Sequence, residues 1–127
     1  MGIVVERSMV NRILIVDDNA ELLELLMEAL EFCDFKVRIL SDGTELFNIL
    51  ESFKPDLLIL DNILPGENGE YLCKKVRETY SLTLPIILIS AYPTEYFDNG
   101  CFNEILFKPF GLDTLLEKIN YVSKLSA

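Results

Sequence analysis

The sequence predicts an α/β domain: a five-stranded parallel sheet, doubly wound, with helices on both faces. Three observations lead there. Short apolar runs alternate with amphipathic stretches in five βα units. Most of these runs lack the polar alternation of a half-exposed strand, so they suit a sheet covered on both sides. The connections between them are short, which favours right-handed crossovers back into one sheet. At 127 residues, half of them hydrophobic, the chain has material for one core and no room for a second folded domain.

In order, the runs are Ile13-Leu14-Ile15-Val16, Val37-Arg38-Ile39-Leu40, Leu57-Leu58-Ile59-Leu60, Pro85-Ile86-Ile87-Leu88-Ile89 and Glu104-Ile105-Leu106-Phe107. Only the second alternates, which places it at a sheet edge. After the first run, Asn19 is set to cap a helix with Glu21 and Glu24 in its first turn and an inward stripe of Leu22, Leu26, Ala29, Leu30 and Cys33. A second helix follows the Asp42-Gly43-Thr44 turn, with Leu46, Phe47, Ile49, Leu50 and Phe53 inward, and ends at Lys54-Pro55-Asp56. The third spans about Asn68 to Thr79, turning Leu72, Cys73 and Val76 to the core. The last spans about Leu112 to Val122, with Leu112, Leu115, Leu116, Ile119 and Val122 on one side. Tyr92 to Gly100 offers only about two turns, so the fourth helix is expected to be short or irregular.

Charge and composition remove several classes of function. Eleven basic against 21 acidic residues give a net charge of −10, which repels nucleic-acid phosphate and anionic lipid. No apolar run reaches the roughly 18 residues of a membrane span, and the amino terminus lacks a secretory pattern, so a cytoplasmic protein is expected. Gly2 is followed at the sixth position by Glu6, which does not fit a myristoylation signal. Cys33, Cys73 and Cys101 show no metal or thiol-exchange spacing and are expected to be small core fillers. There is no histidine, which removes histidine-dependent nucleophilic systems and histidine metal sites together. A metal would be held by oxygen, pointing to magnesium, calcium or manganese.

The carboxyl ends of the strands are where such sheets bind ligands. There the first run is followed by Asp17-Asp18, the third by Asp61, the fourth by Ser90 and the fifth by Lys108-Pro109. Taken singly, an aspartate past a strand is more often a helix or turn cap. Together, three carboxylates, a hydroxyl and an ammonium converge from four strands. Neighbouring carboxylates raise one another's pKa unless a cation compensates, and Mg²⁺ is bound through a few carboxylates plus a phosphate. A carboxylate can also attack phosphorus and form an acyl phosphate. Asp61, at the centre of the sheet, is best placed to do so, with Lys108 and Ser90 available to the transferred phosphoryl oxygens.

The segments Ile13-Leu14-Ile15-Val16-Asp17-Asp18-Asn19, Leu58-Ile59-Leu60-Asp61-Asn62-Ile63-Leu64-Pro65-Gly66-Glu67-Asn68-Gly69, Ile89-Ser90-Ala91 and Phe107-Lys108-Pro109-Phe110 resemble the receiver domain of two-component response regulators. The resemblance implies a flavodoxin-like sheet of strand order 2-1-3-4-5. It also implies an N-terminal extension over 1–10, a receiver domain over 11–124 and a short tail over 125–127. By position, it makes Asp61 the phosphoacceptor. Asp17, Asp18, Asp61 and the backbone carbonyl of Ile63 become ligands of Mg²⁺, with Mn²⁺ as a substitute. Ser90 and Lys108 become the groups that meet the phosphoryl, Lys108 before a cis bond to Pro109. The implied donor is the phosphohistidine of a sensor histidine kinase or a histidine phosphotransfer protein, and an output domain would lie outside this chain. The domain would catalyse its own phosphorylation and slow dephosphorylation without turning over a separate substrate.

Two departures from the family pattern stand out. Ile105 occupies the position where receivers carry a switching Tyr or Phe, with Phe107 one strand period away, and the stretch from Ser90 to Lys108 is about one helical turn short. Ile63 and Tyr92, two residues past Asp61 and Ser90, are bulky and poorly suited to orienting water, so slow autodephosphorylation is expected. Two alternatives remain at this point. A receiver-like docking module would keep the fold without accepting phosphate, and a haloacid-dehalogenase-type phosphohydrolase would need an acid/base aspartate where Ile63 stands.

Overall fold

The computed structural model describes residues 10–91 and 100–125. Seven strands and four helices follow in order: β1 (Arg12–Val16), α1 (Ala20–Phe32), β2 (Lys36–Leu40), α2 (Leu46–Phe53), β3 (Leu57–Asp61), β4 (Ile63–Leu64), β5 (Glu67–Asn68), α3 (Gly69–Thr79), β6 (Ile86–Ser90), β7 (Glu104–Phe107) and α4 (Leu112–Leu125). The five long strands form one parallel sheet in the order β2-β1-β3-β6-β7, and β4 and β5 pair separately as a two-residue antiparallel hairpin. The expected doubly wound order is therefore present, with the small hairpin inserted after its central strand. The question of a fourth helix between β6 and β7 falls on residues 92–99, outside the described residues, as does Tyr92.

Alternation along each strand splits the core in two. Ile13, Ile15, Leu57, Ile59, Ile87 and Ile89 face α1 and α4, where Leu23, Leu26, Leu30, Leu115, Ile119 and Val122 meet them. Leu14, Val16, Leu58, Leu60, Ile86 and Leu88 face α2 and α3 and pack on Leu46, Leu50, Leu72, Cys73 and Val76. Fully burying an aliphatic side chain of this kind contributes about 1.5–3 kcal/mol. These two layers hold the central strands rigidly. Val10 also lies in the first of them.

Four expectations need correction. On α1 the buried stripe is Leu23, Leu26 and Leu30, so Leu23 replaces Leu22, which is only partly buried. Cys33 is the C-cap of α1 and is exposed, because the helix ends before the periodicity reaches it. Cys73 and Cys101 are buried as expected, but they are a disulfide pair joining α3 to the residues before β7. At the ends of the last βα unit, Leu112 and Phe107 stay substantially exposed: β7 is the second edge of the sheet and lies open at Phe107, despite its unbroken apolar run.

Candidate metal and phosphoryl site

Local hydrogen bonding fixes each carboxylate. Past β1, the Asp17 amide donates to the Leu40 carbonyl (3.1 Å), prolonging the pairing with β2. Its side chain folds back, Oδ1 accepting from the Asn19 amide (2.9 Å). Asn19 Oδ1 in turn accepts from the Leu22 amide (3.1 Å) and caps α1. This leaves Asp17 Oδ2 buried without a hydrogen-bond donor, while Asp18 between them is exposed.

Asp61 closes β3 in register with Ile89 of β6. Its Oδ1 accepts weakly from the Ile63 amide at 3.4 Å. The next residue pins the loop: the Asn62 amide donates to the Ile89 carbonyl (2.8 Å) and its own carbonyl accepts from the Gly69 amide (2.7 Å). A Cβ on Gly69 would sit 2.7 Å from the Cα of Asn62, so glycine is required for α3 to start this close to the site. Gly66, at φ +72°, turns the β4–β5 hairpin, and Asn68 caps α3 through the Tyr71 amide (3.1 Å). Ile63 lies on the rim, 56% exposed.

From the other edge, the Lys108 amide donates to the Ser90 carbonyl (2.9 Å), and the bond to Pro109 is cis, as the resemblance implies. The Lys108 Nζ lies 3.0 Å from Asp17 Oδ2 and 3.5 Å from Asp61 Oδ2. The contact with Asp17 is an ion pair that lacks the directionality of a hydrogen bond. Ser90 is buried at the end of β6, one position beyond the residue that pairs with Asp61.

Electrostatics at this point are unbalanced. Burial and then the charge of Asp17 push the Asp61 carboxyl above its ordinary range, against the pull of Lys108 and the Ile63 amide. For Lys108, burial favours the neutral amine, but Asp17 and Asp61 outweigh it and hold the ammonium more firmly charged. One ammonium thus faces three carboxylates. Oxygens of Asp17, Asp18 and Asp61 all lie within 4.8 Å of one another. Asp17 Oδ2, buried and met only by the Lys108 ammonium at 3.0 Å, adds a hard oxygen of the kind a divalent cation takes up. The residues present therefore fit such an ion.

Asp17, Asp18, Asp61 and Lys108 are thus brought together as the sequence anticipated, with Ser90 on the adjoining strand end. Ile105 is half-buried against the α2/α3 layer and lies outside this cluster. Asn62 and Gly69 were not singled out by sequence reasoning, although Gly69 ends the motif that carries the resemblance. Among the described residues no helix is long and apolar enough to cross a membrane.

A profile of the response regulator receiver domain matches residues 13–120. The chain is 34% identical over 113 residues to the response regulator MprA of Mycobacterium avium (strain 104), covering 85% of this chain and 49% of that protein. It is 34% identical over 114 residues to the transcriptional regulatory protein YxdJ of Bacillus subtilis (strain 168), covering 86% and 48%. The chain thus spans about half the length of the curated relatives it matches. Among solved structures, a CheY-like receiver domain protein from Methanospirillum hungatei JF-1 superposes with a TM-score of 0.84 at 26% identity, covering 92% of this chain and 96% of that one. The BeF3-activated N-terminal receiver domain of Klebsiella pneumoniae RstA superposes with a TM-score of 0.79 at 25% identity, covering 90% and 99%. By sequence, fold and the arrangement of its strand ends, the chain belongs to the response regulator receiver domain family.

Proposed function

We propose that this domain, over about residues 11–124, accepts a phosphoryl group on Asp61 from the phosphohistidine of a sensor kinase or phosphotransfer protein. The observation that carries this reading is the placement of Asp61, 6% exposed, beside two further carboxylates and 3.5 Å from the Lys108 ammonium. An Asp61 carboxylate oxygen attacks phosphorus, the bond from phosphorus to the donor imidazole nitrogen breaks, and the imidazole leaves carrying a proton. Lys108 meets the charge on the transferring oxygens, and the Ser90 hydroxyl donates to one of them. Asp17 and Asp18, with Asp61 and the Ile63 carbonyl, would hold Mg²⁺, for which Mn²⁺ substitutes. When bound, the ion supplies positive charge to the phosphoryl oxygens and relieves the repulsion among the carboxylates. The protein turns over no separate substrate, and an output domain on a longer chain would read the result.

Incubation with acetyl phosphate and Mg²⁺ tests this. The expected result is one added phosphoryl group on Asp61, absent from Asp61→Asn. No adduct under forcing conditions overturns the reading in favour of a docking module, and sustained turnover of phosphate esters would favour a hydrolase. The exposed Ile63 beside the site supports a long-lived acyl phosphate, because it offers no group to orient water. Loss of label from the isolated domain should be slow and accelerate in Ile63→Asn. Rapid loss that this substitution leaves unchanged would contradict it.

A further inference from the structure

Among the described residues outside the carboxylate cluster, the fold brings together two reactive groups, Cys73 and Cys101. They are 28 positions apart in sequence, yet their Cα atoms lie 6.0 Å apart and they stand as a bonded pair, within the separation a disulfide spans. Both side chains are buried, Cys73 on the inner face of α3 and Cys101 in the return towards β7. Their alignment does not depend on the sulfurs alone. Arg77, one turn along α3, donates from Nε to the Cys101 carbonyl (2.7 Å) and from Nη2 to Asn103 Oδ1 (3.1 Å). Asn103 Oδ1 also accepts from the Ile86 amide (2.8 Å). Arg77 Nη1 reaches the carbonyls of Leu84 (2.7 Å) and Ser81 (3.3 Å). These hydrogen bonds tie α3 to the Cys101 backbone by contacts that do not involve the sulfurs.

We propose that Cys73 and Cys101 form a reversible redox tether between α3 and the return into β7, closed by a small-molecule disulfide and opened by a thiol. Cys101 reacts first, because it borders a cavity of about 220 Å³ lined by Lys74, Arg77, Glu78 and Gly100. The Cys101 thiolate, its proton released to solvent, attacks one sulfur of the disulfide and expels a thiolate that leaves as thiol. The Cys73 thiolate then attacks Cys101 in the mixed disulfide and expels the second thiol. The cysteine pair loses two electrons and two protons, and the small disulfide gains them. The closed tether joins α3 to the residues that lead into β7 and ends seven residues before Lys108.

The whole chain in a Cys33→Ser background, which removes intermolecular linkage, serves for the test. Oxidised glutathione is the closing probe and dithiothreitol the opening one. After an acid quench, alkylation in denaturant and peptide mass spectrometry should find Cys73 linked to Cys101 after the first and both alkylated after the second, with the protein folded throughout. Opening should lower the thermal midpoint by more than about 5 °C, and Cys101→Ser should abolish the difference. Comparing the two redox states of the same chain keeps the test independent of whether that variant folds. Two free thiols after oxidant, a glutathione adduct that never resolves, an unchanged midpoint, or a bond that dithiothreitol reaches only on unfolding would each overturn the proposal.

Discussion

Strands β3 and β7 deliver Asp61 and Lys108 to the same point, but they are held in different ways. All five residues of β3 are buried, with a neighbouring strand on each side and a helix layer on each face. In β7 only Leu106 is buried, Ile105 is half-covered and Phe107 is 46% exposed at the sheet edge. The proposed acceptor therefore sits at the end of a strand buried on every side, and its counter-charge follows a partly open edge strand. A carboxylate that must stay aligned for chemistry benefits from the first environment, and an ammonium that must answer a change of charge from the second.

The largest expected effect tests that contrast directly. Ile59→Ala should cost about 2–5 kcal/mol in urea unfolding, as large-to-small changes in tight cores do, whereas Phe107→Ala should cost less than about 1 kcal/mol. Equal losses would show that β7 is as tightly held as β3.

A bound ion should act on the β1–β3 side. At about 100-fold excess over its Kd, Mg²⁺ should raise the unfolding free energy by about 2.7 kcal/mol. Asp18→Asn, at an exposed position, should remove most of that gain while leaving the metal-free stability close to unchanged. An ion effect that survives in this variant would move the metal away from the carboxylate cluster.

Smaller in size, and opposite in sign, is the expected effect of removing the acceptor's charge. Because burial and Asp17 raise the Asp61 pKa above its ordinary 3.8, the folded state binds a proton that the unfolded state releases. The stability associated with the protonated form is full below that value and is lost as pH rises through the folded-state pKa. Without metal at neutral pH, Asp61→Asn should therefore be the more stable protein, with the advantage shrinking as the pH falls towards 3.8 and disappearing below it. A destabilised variant at neutral pH would mean that the Lys108 pair outweighs burial.

The strands and the carboxylate cluster were legible because each depends on a local pattern: an apolar run, then an acid where the run stops. What was less legible involves choices between registers or contacts across the fold. Leu22-Leu23 and Leu25-Leu26 offer two overlapping stripes on α1, and only packing against the sheet selects Leu23, Leu26 and Leu30. The pairing of Cys73 with Cys101 joins α3 to the residues before β7, 28 positions away, and has no spacing signature. Arg77 reads as one more charge on an amphipathic helix, yet it is half-buried and bonds to four residues outside that helix. The openness of β7 is likewise a property of its place at the edge, not of its composition.

The two glycines around the β4–β5 hairpin translate into opposite mutational tolerance. Position 66 needs a backbone at φ +72° but has nothing within 4 Å of an added Cβ, so Asn, which adopts that conformation readily, is a viable substitute. Position 69 faces the backbone of Asp61 and Asn62, and even alanine would force apart the two segments that position the carboxylate. In a saturation library selected for phosphate acceptance, residue 69 should be close to monomorphic while residue 66 admits a small polar set. The narrowest sequence constraint beside Asp61 then falls on a residue that has no side chain to offer the chemistry.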